Sequence, residues 1–103
     1  LIHSMSMGQR LLQRRLAQTA ARLKELRLEL LVVADQMSHM VDDANDLSLR
    51  ALVSETPSAE FEYRESKKHA DVIVRHHGQL VAEIADLERR MNDLLDRMKE
   101  HSS

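Results

Sequence analysis

Six histidines are the first candidates for chemistry in this 103-residue chain, because imidazole binds metals and moves protons near neutral pH. Two metal ligands on one helix need a spacing of three or four residues to share a face. His69 and His76 are seven residues apart, whereas His76 and His77 are adjacent and point about 100° apart. No His-Glu-x-x-His or Glu-x-x-His pair occurs. We therefore expect no metal ligands, and a metal-binding helical bundle is our last-ranked alternative.

Carboxylates are the second candidates. Glu62, Glu65, Glu83 and Asp86 resemble the ExxE…ExxD arrangement with which all-helical nucleotide pyrophosphohydrolases of the MazG type hold magnesium. In that family two facing helices supply the pairs. Here both pairs fall on one predicted helix, with Glu65 and Glu83 about 27 Å apart by helix rise. The chain also lacks cysteine and any glycine-rich phosphate loop. We predict no catalytic residues, no cofactor and no enzyme activity.

Heptad repeats are the strongest pattern in the sequence. Apolar residues recur at alternating steps of four and three, from Leu12 to Ala51 and again from Tyr63 onwards. Such a sustained 3.5-residue repeat is typical of coiled coils, whose seam positions are named a and d in the heptad a to g. Aromatic residues are only 2% of the chain, so the core must be aliphatic. The sequence predicts an all-α fold, a long antiparallel two-helix coiled-coil hairpin.

Proline and its neighbours divide the chain. Pro57 suits the first position of a helix, Thr56 can cap that helix, and the preceding residues avoid helical geometry. We predict one helical-hairpin domain over residues 8–103, with helices at about 8–53 and 57–101 and a turn at 54–56. Residues 1–7 are expected to be a disordered N-terminal tail or an expression remnant. Without a signal-like or membrane-spanning apolar segment, the expected location is the cytoplasm and no membrane partner is expected.

The register of the hairpin has two alternatives. A short turn centred on Glu55 layers each position a against a position d of the other helix. It also places Glu29 near Glu83 and Arg22 near Arg90, and both pairs are repulsive.

A longer loop would shift the register by one heptad. That arrangement replaces the repulsive pairs with Glu29 near Arg90 and Arg27 near Glu88. Helix caps contribute about 1 kcal/mol and surface ion pairs a few tenths, so we favour the short turn.

The apolar stripe is wider than two helices need. Three positions e on each helix are also apolar, and a three-position stripe is the face of a bundle. We predict that two hairpins pair as a homodimer in a four-helix bundle, with a different protein partner as the main competitor. The function expected from this is a non-enzymatic structural or protein-interaction module. The interface candidates are Leu28, Leu31, Val32, Ala34, Val41, Val74, Val81 and Leu95.

His77 falls at a position a. A polar residue there can fix register, as single polar core residues do in other coiled coils. Burial disfavours the charged imidazole, so we also expect His77 to make the bundle sensitive to pH.

Arginines gather at the open end of the predicted hairpin. They are either satisfied by nearby carboxylates or form a docking surface for an acidic partner. Binding to nucleic acid is not expected, because the net charge is −2 and aromatic residues for base stacking are almost absent. The arginines concerned are Arg10, Arg14, Arg15, Arg22, Arg89, Arg90 and Arg97.

In size and topology the chain resembles secreted WXG-type hairpins, which have about 100 residues and a central turn. The Trp-x-Gly motif of that group is missing, because residues 54–58 read Ser-Glu-Thr-Pro-Ser. The resemblance implies an alternative function as a small helical secreted or chaperone-like partner protein.

Overall fold

The computed structural model describes residues 6–102, with side-chain surroundings described for residues 6–100. Helix α1 spans Met7–Ser54 and helix α2 spans Pro57–Ser102. Residues 6–102 contain no strand. The expected all-helical hairpin is therefore confirmed. Of the N-terminal tail expected over residues 1–7, residues 1–5 lie outside the described residues.

Helix α1 begins at a reciprocal cap. The Gln9 N–H donates to the Ser6 hydroxyl oxygen at 3.1 Å, and the Ser6 N–H donates to Gln9 Oε1 at 3.1 Å. Two N–H groups that lack helical partners are satisfied in this way, as in a capping box. The cap explains why α1 starts at Met7, one residue before the expected boundary.

The turn between the helices consists of Glu55 and Thr56 alone. Glu55 adopts a left-handed backbone with φ 52°, and its N–H donates to the Ala51 carbonyl at 3.1 Å, which closes α1. The Thr56 hydroxyl oxygen then accepts the Ala59 N–H at 3.2 Å and caps α2. Pro57 occupies the first helical position, where its missing N–H costs nothing. The chain thus adopts the short turn.

Backbone proximity divides the chain into two compact units. We call Glu29–Val81 the turn unit, and the described residues 6–28 together with 82–102 the terminal unit. The turn unit has a core of small and medium side chains. Its buried apolar residues are Val33, Ala44, Ala51, Ala70 and Leu80.

The terminal unit has a core of large aliphatic side chains, in which Leu23 and Leu26 are each only 1% exposed. Both fall at seam positions of the predicted heptad. The buried apolar residues of this unit are Leu12, Leu23, Leu26, Ile84 and Leu94.

Ion pairs across the terminal unit correct the charge argument made from the sequence. Arg22 does not face Arg90 alone, because its two terminal nitrogens bind Glu25 at 3.2 Å and Glu83 at 3.3 Å. These bonds, led by the one to Glu25, raise the pKa of Arg22. The register places Arg90 at the level of Arg22. The long Arg22 side chain instead reaches Glu83, one heptad away along α2. The short turn therefore carries less repulsion than its register suggests.

Two further pairs complete this correction. In the terminal unit, Arg27 lies 3.4 Å from Glu88, a contact expected only for the shifted register. In the turn unit, Glu29 has His76 at 3.5 Å. All four side chains are about half exposed, so an ion pair here contributes at most about 1 kcal/mol. The Glu29–His76 contact is an ion pair only when the imidazole is protonated.

The Thr56 cap gives a first testable prediction. Thr56→Ala removes the acceptor of the Ala59 N–H and is expected to lower the free energy of unfolding by about 1 kcal/mol. Ser58→Ala, which removes an exposed hydroxyl from the first turn of α2, is the matched control and is expected to change it by less than about 0.5 kcal/mol. Chemical denaturation followed by circular dichroism measures both, and equal losses would contradict the assigned cap.

The left-handed residue gives a second prediction. A non-glycine residue at positive φ is strained by its Cβ, so Glu55→Gly is expected to stabilise the chain by roughly 0.5–1 kcal/mol. Glu60→Gly, in the first turn of α2, is the control and is expected to destabilise it by about 1 kcal/mol. The same denaturation measurement applies. A loss of stability in Glu55→Gly would show that the turn is not strained.

Candidate interaction surfaces

The two sides of the helix seam differ in chemistry. Positions e and g border the seam on opposite sides, and in the turn unit the e side is apolar. Ala34 and Val41 of α1 are half-buried there, while Val74 and Val81 of α2 are each 45% exposed. We call these four residues the apolar flank. Toward the turn the next e position of α2 is Lys67, which donates to Asp71 at 2.9 Å, a bond that raises the pKa of Lys67.

The opposite side of the turn unit is polar. Its g positions include Glu29, Asp43, His69 and His76, and His76 Nε2 lies 3.5 Å from Glu29 Oε1. Only one side of the turn unit therefore offers an apolar surface next to the seam, which is the arrangement needed for packing against further helices.

The e side of the terminal unit is mixed. Ala20 is half-buried and Leu95 is 40% exposed. One heptad nearer the turn on each helix lies the Arg27–Glu88 ion pair. This side therefore combines apolar contact area with a pair of opposite charges that are already matched.

The interface candidates predicted from the sequence fall on two different faces. Ala34, Val41, Val74, Val81 and Leu95 are at positions e. Leu31 and Val32 in the turn unit, 69% and 58% exposed, are at positions b and c on the outer side of α1. Leu28 in the terminal unit, 57% exposed, is at an outer position f. A partner that covers the e side leaves these three uncovered.

A further apolar cluster surrounds the turn. Leu49, Leu52, Val53 and Phe61 are all more than half exposed. Beside them is an open groove whose lining is mostly apolar, formed by Leu47, Leu49, Arg50, Val53, Ser54, Ala59 and Glu62. The turn end therefore carries more apolar surface than scattered exposed residues account for.

A cavity opens on the g side of the terminal unit. It has a volume of about 350 Å³, and Arg15 of α1 and Arg90 and Arg97 of α2 border it. The remaining lining residues are Gln18, Thr19, Asp93 and Leu94. We call this the arginine cavity. The sequence predicted that arginines gather in this region but could not separate the three that share a cavity from those that bind carboxylates.

The separation is clear for two other arginines of the terminal unit. Arg22 binds Glu25 and Glu83, and Arg89 donates to Asp86 one helical turn before it. These two arginines have carboxylate partners, as one sequence interpretation expected. The other interpretation, a docking surface for an acidic partner, stays a prediction.

His77 is half-buried at its position a. Over residues 6–100 no polar or charged side chain is fully buried, so His77 is not enclosed as its sequence position suggested. A seam between only two helices leaves part of this side chain exposed. Its proposed roles in register and pH sensitivity stay predictions.

Metal-binding residues do not converge in the part of the chain that the structure describes, where no three or more His, Asp or Glu side chains lie close enough to hold an ion. Across the described helices, no segment combines the length and apolarity needed to cross a lipid bilayer.

Comparison of the chain with models of known protein families, with curated proteins and with solved structures finds no match. The functional argument therefore depends on the surfaces described above.

The position of His77 gives a third prediction. His77→Leu replaces a polar group in the seam with an aliphatic one and is expected to raise the free energy of unfolding by roughly 1 kcal/mol. His69→Leu, at an exposed g position, is the control and is expected to have little effect. Thermal and chemical denaturation measure both variants. If His77→Leu left the free energy of unfolding unchanged, the assignment of His77 to the seam would be wrong.

Proposed function

We propose that this chain is a non-enzymatic protein-interaction module that acts as a homodimer, in which two hairpins pack side by side into a four-helix bundle. The observation that carries the proposal is the apolar flank, formed by Ala34, Val41, Val74 and Val81. Val74 and Val81 are each 45% exposed in a single hairpin, and Ala34 and Val41 are only half-buried, although all four lie directly beside the seam.

Packing physics supports a second pair of helices on this flank. Burial of apolar surface stabilises by about 25 cal/mol per Å², and the valines at positions e extend the a and d stripe by one position. A stripe of that width matches the core-facing side of a bundle helix rather than the narrower seam of a two-stranded coil. A second copy supplies the same stripe, as a two-fold interface requires.

Charge distribution supports a second copy as the occupant. The turn unit holds five Lys or Arg residues against ten Asp or Glu, whereas the terminal unit holds ten against seven. Two copies that place the turn unit of one against the terminal unit of the other bring opposite charges together. This orientation predicts a dimer that weakens as salt concentration rises.

A different protein partner is the second candidate, and the outer face of α1 favours it. Leu31 and Val32 are well exposed at positions that a bundle on the apolar flank leaves uncovered. Exposed apolar pairs of this kind mark contact surfaces when they occur close together. In this version the hairpin presents that face to another chain, as a partner protein does.

Oligomeric state tests the proposal and gives a fourth prediction. The wild-type chain is expected to have twice its mass of 11.9 kDa in light scattering at micromolar concentration. Val81→Glu places a charge on the apolar flank, where dimer formation would bury it without a partner, and is expected to weaken dimerisation at least tenfold.

The matched control is Leu31→Glu, which adds the same charge to the outer face of α1. It is expected to leave the dimer intact. Circular dichroism of both variants checks that they remain helical. A wild-type monomer, or a dimer lost equally in both variants, contradicts the proposed interface. A monomeric wild type also transfers support to the candidate with a different protein partner.

A further inference from the structure

The arginine cavity has fewer carboxylates than arginines in its lining. Within the part of the chain that the structure describes, the guanidinium groups of Arg15, Arg90 and Arg97 make no hydrogen bond or ion pair with another residue. One carboxylate, that of Asp93, also borders the cavity. Three guanidinium groups against one carboxylate leave a local excess of two positive charges. Such an excess attracts an anion of more than one charge.

The contrast with neighbouring arginines shows that this excess is local. Arg22, at a g position of the same helix as Arg15, is shared by two carboxylates. Arg89, directly before Arg90 in the chain, donates to Asp86. Among the described residues, Arg10 and Arg14 of the terminal unit also have no ion pair, but they do not line the cavity. Arg15, Arg90 and Arg97 are the unmatched arginines that share one cavity.

The chemistry of the lining points to an oxyanion. Each guanidinium offers five N–H donors in a fork that matches phosphate or carboxylate oxygens. The Thr19 hydroxyl already donates to the Arg15 carbonyl at 2.8 Å, so its proton is engaged. Leu94, which is buried, also lines the cavity and offers no polar side-chain group. Recognition therefore falls to the arginines, with Gln18 as a neutral donor beside them.

The spacing of the arginines further restricts the class of ligand. Arg90 and Arg97 are seven residues apart on α2, about 10.5 Å along the helix, and Arg15 approaches from α1. A chain of linked phosphates spans such a set of donors better than a single phosphate. No aromatic side chain lines the cavity, so nothing there stacks on a base or sugar ring.

From these observations we propose that the arginine cavity is a binding site for a compact, multivalent phosphate-type oxyanion, held by Arg15, Arg90 and Arg97. Asp93 opposes the ligand charge and limits affinity for anions with a single charge. The site does not rest on the proposed dimer. It lies on the g side within the terminal unit of one chain, whereas the proposed interface uses the e side.

Isothermal titration calorimetry with inorganic tripolyphosphate at low salt tests the site. The wild type is expected to bind one equivalent per chain, and more tightly than it binds monophosphate. Arg90→Gln removes a cavity donor and is expected to weaken tripolyphosphate binding about tenfold or more. Asp93→Asn is expected to strengthen it.

Arg89→Gln is the matched control, because it removes the same charge from the adjacent residue outside the cavity. It is expected to change the affinity less than about twofold, because the ligand loses only the long-range attraction of this charge, which salt screens. Equal weakening in Arg89→Gln and Arg90→Gln overturns the proposal, because it shows attraction to net charge alone. Absence of binding to the wild type also overturns it. Light scattering on the same samples reports the dimer separately.

The phosphate groups can come from a free ligand or from a lipid headgroup, and a second arm separates these sources. Vesicles containing a phosphorylated inositol lipid are tested for co-sedimentation with the wild type and with both arginine variants. Co-sedimentation that Arg90→Gln and added tripolyphosphate abolish supports the site with a lipid source. Tripolyphosphate binding without co-sedimentation supports it with a free ligand.

Discussion

The turn at Glu55 and Thr56 decides which residues of α1 face which residues of α2, and each surface described above depends on that choice. An unbroken heptad repeat keeps its apolar seam after a slip of seven residues, so packing alone does not choose a register. The left-handed Glu55 and the capping Thr56 remove the slip, because they leave no spare residues in the connection. The short turn therefore also determines which charged residues meet beside the seam.

This closure also explains why the two sides of the seam can differ. Antiparallel helices bring e positions together on one side and g positions on the other. In the turn unit the e side receives Val74 and Val81 and the g side receives Glu29 and His76. The asymmetry provides one surface for packing and another for polar contacts. A hairpin built in this way can associate through one side without covering the other.

Much of the fold could be predicted from residue patterns, because seam positions and helix caps are local properties. Thr56 and Pro57 marked the turn, and the heptad placed Leu23 and Leu26 in the core. The charge argument went wrong at Arg22. A register compares residues at one level, while a long side chain selects the best acceptor within its reach, here Glu25 and Glu83.

Two features were missed, for different reasons. The cap of α1 had a visible signal, since Ser6 followed by Gln9 has the spacing of a capping box, but the segment was interpreted as a tail. The arginine cavity had a partial signal, since Arg15, Arg90 and Arg97 all fall at positions g of the heptad and Arg89 does not. The heptad alone does not show that Arg22, also at a position g, binds Glu25 and Glu83 instead.

The cores of the two units differ in side-chain size, and this bears on local motion. Ala44, Ala51 and Ala70 are buried in the turn unit, whereas Leu23 and Leu26 are buried in the terminal unit. Burial of an alanine removes less apolar surface from water than burial of a leucine. Amide protons in the alanine-lined segments should therefore exchange with solvent through openings of lower free energy. Near the turn the hairpin is held by its short covalent connection more than by packing, so we expect local opening of the helices to be easiest at that end.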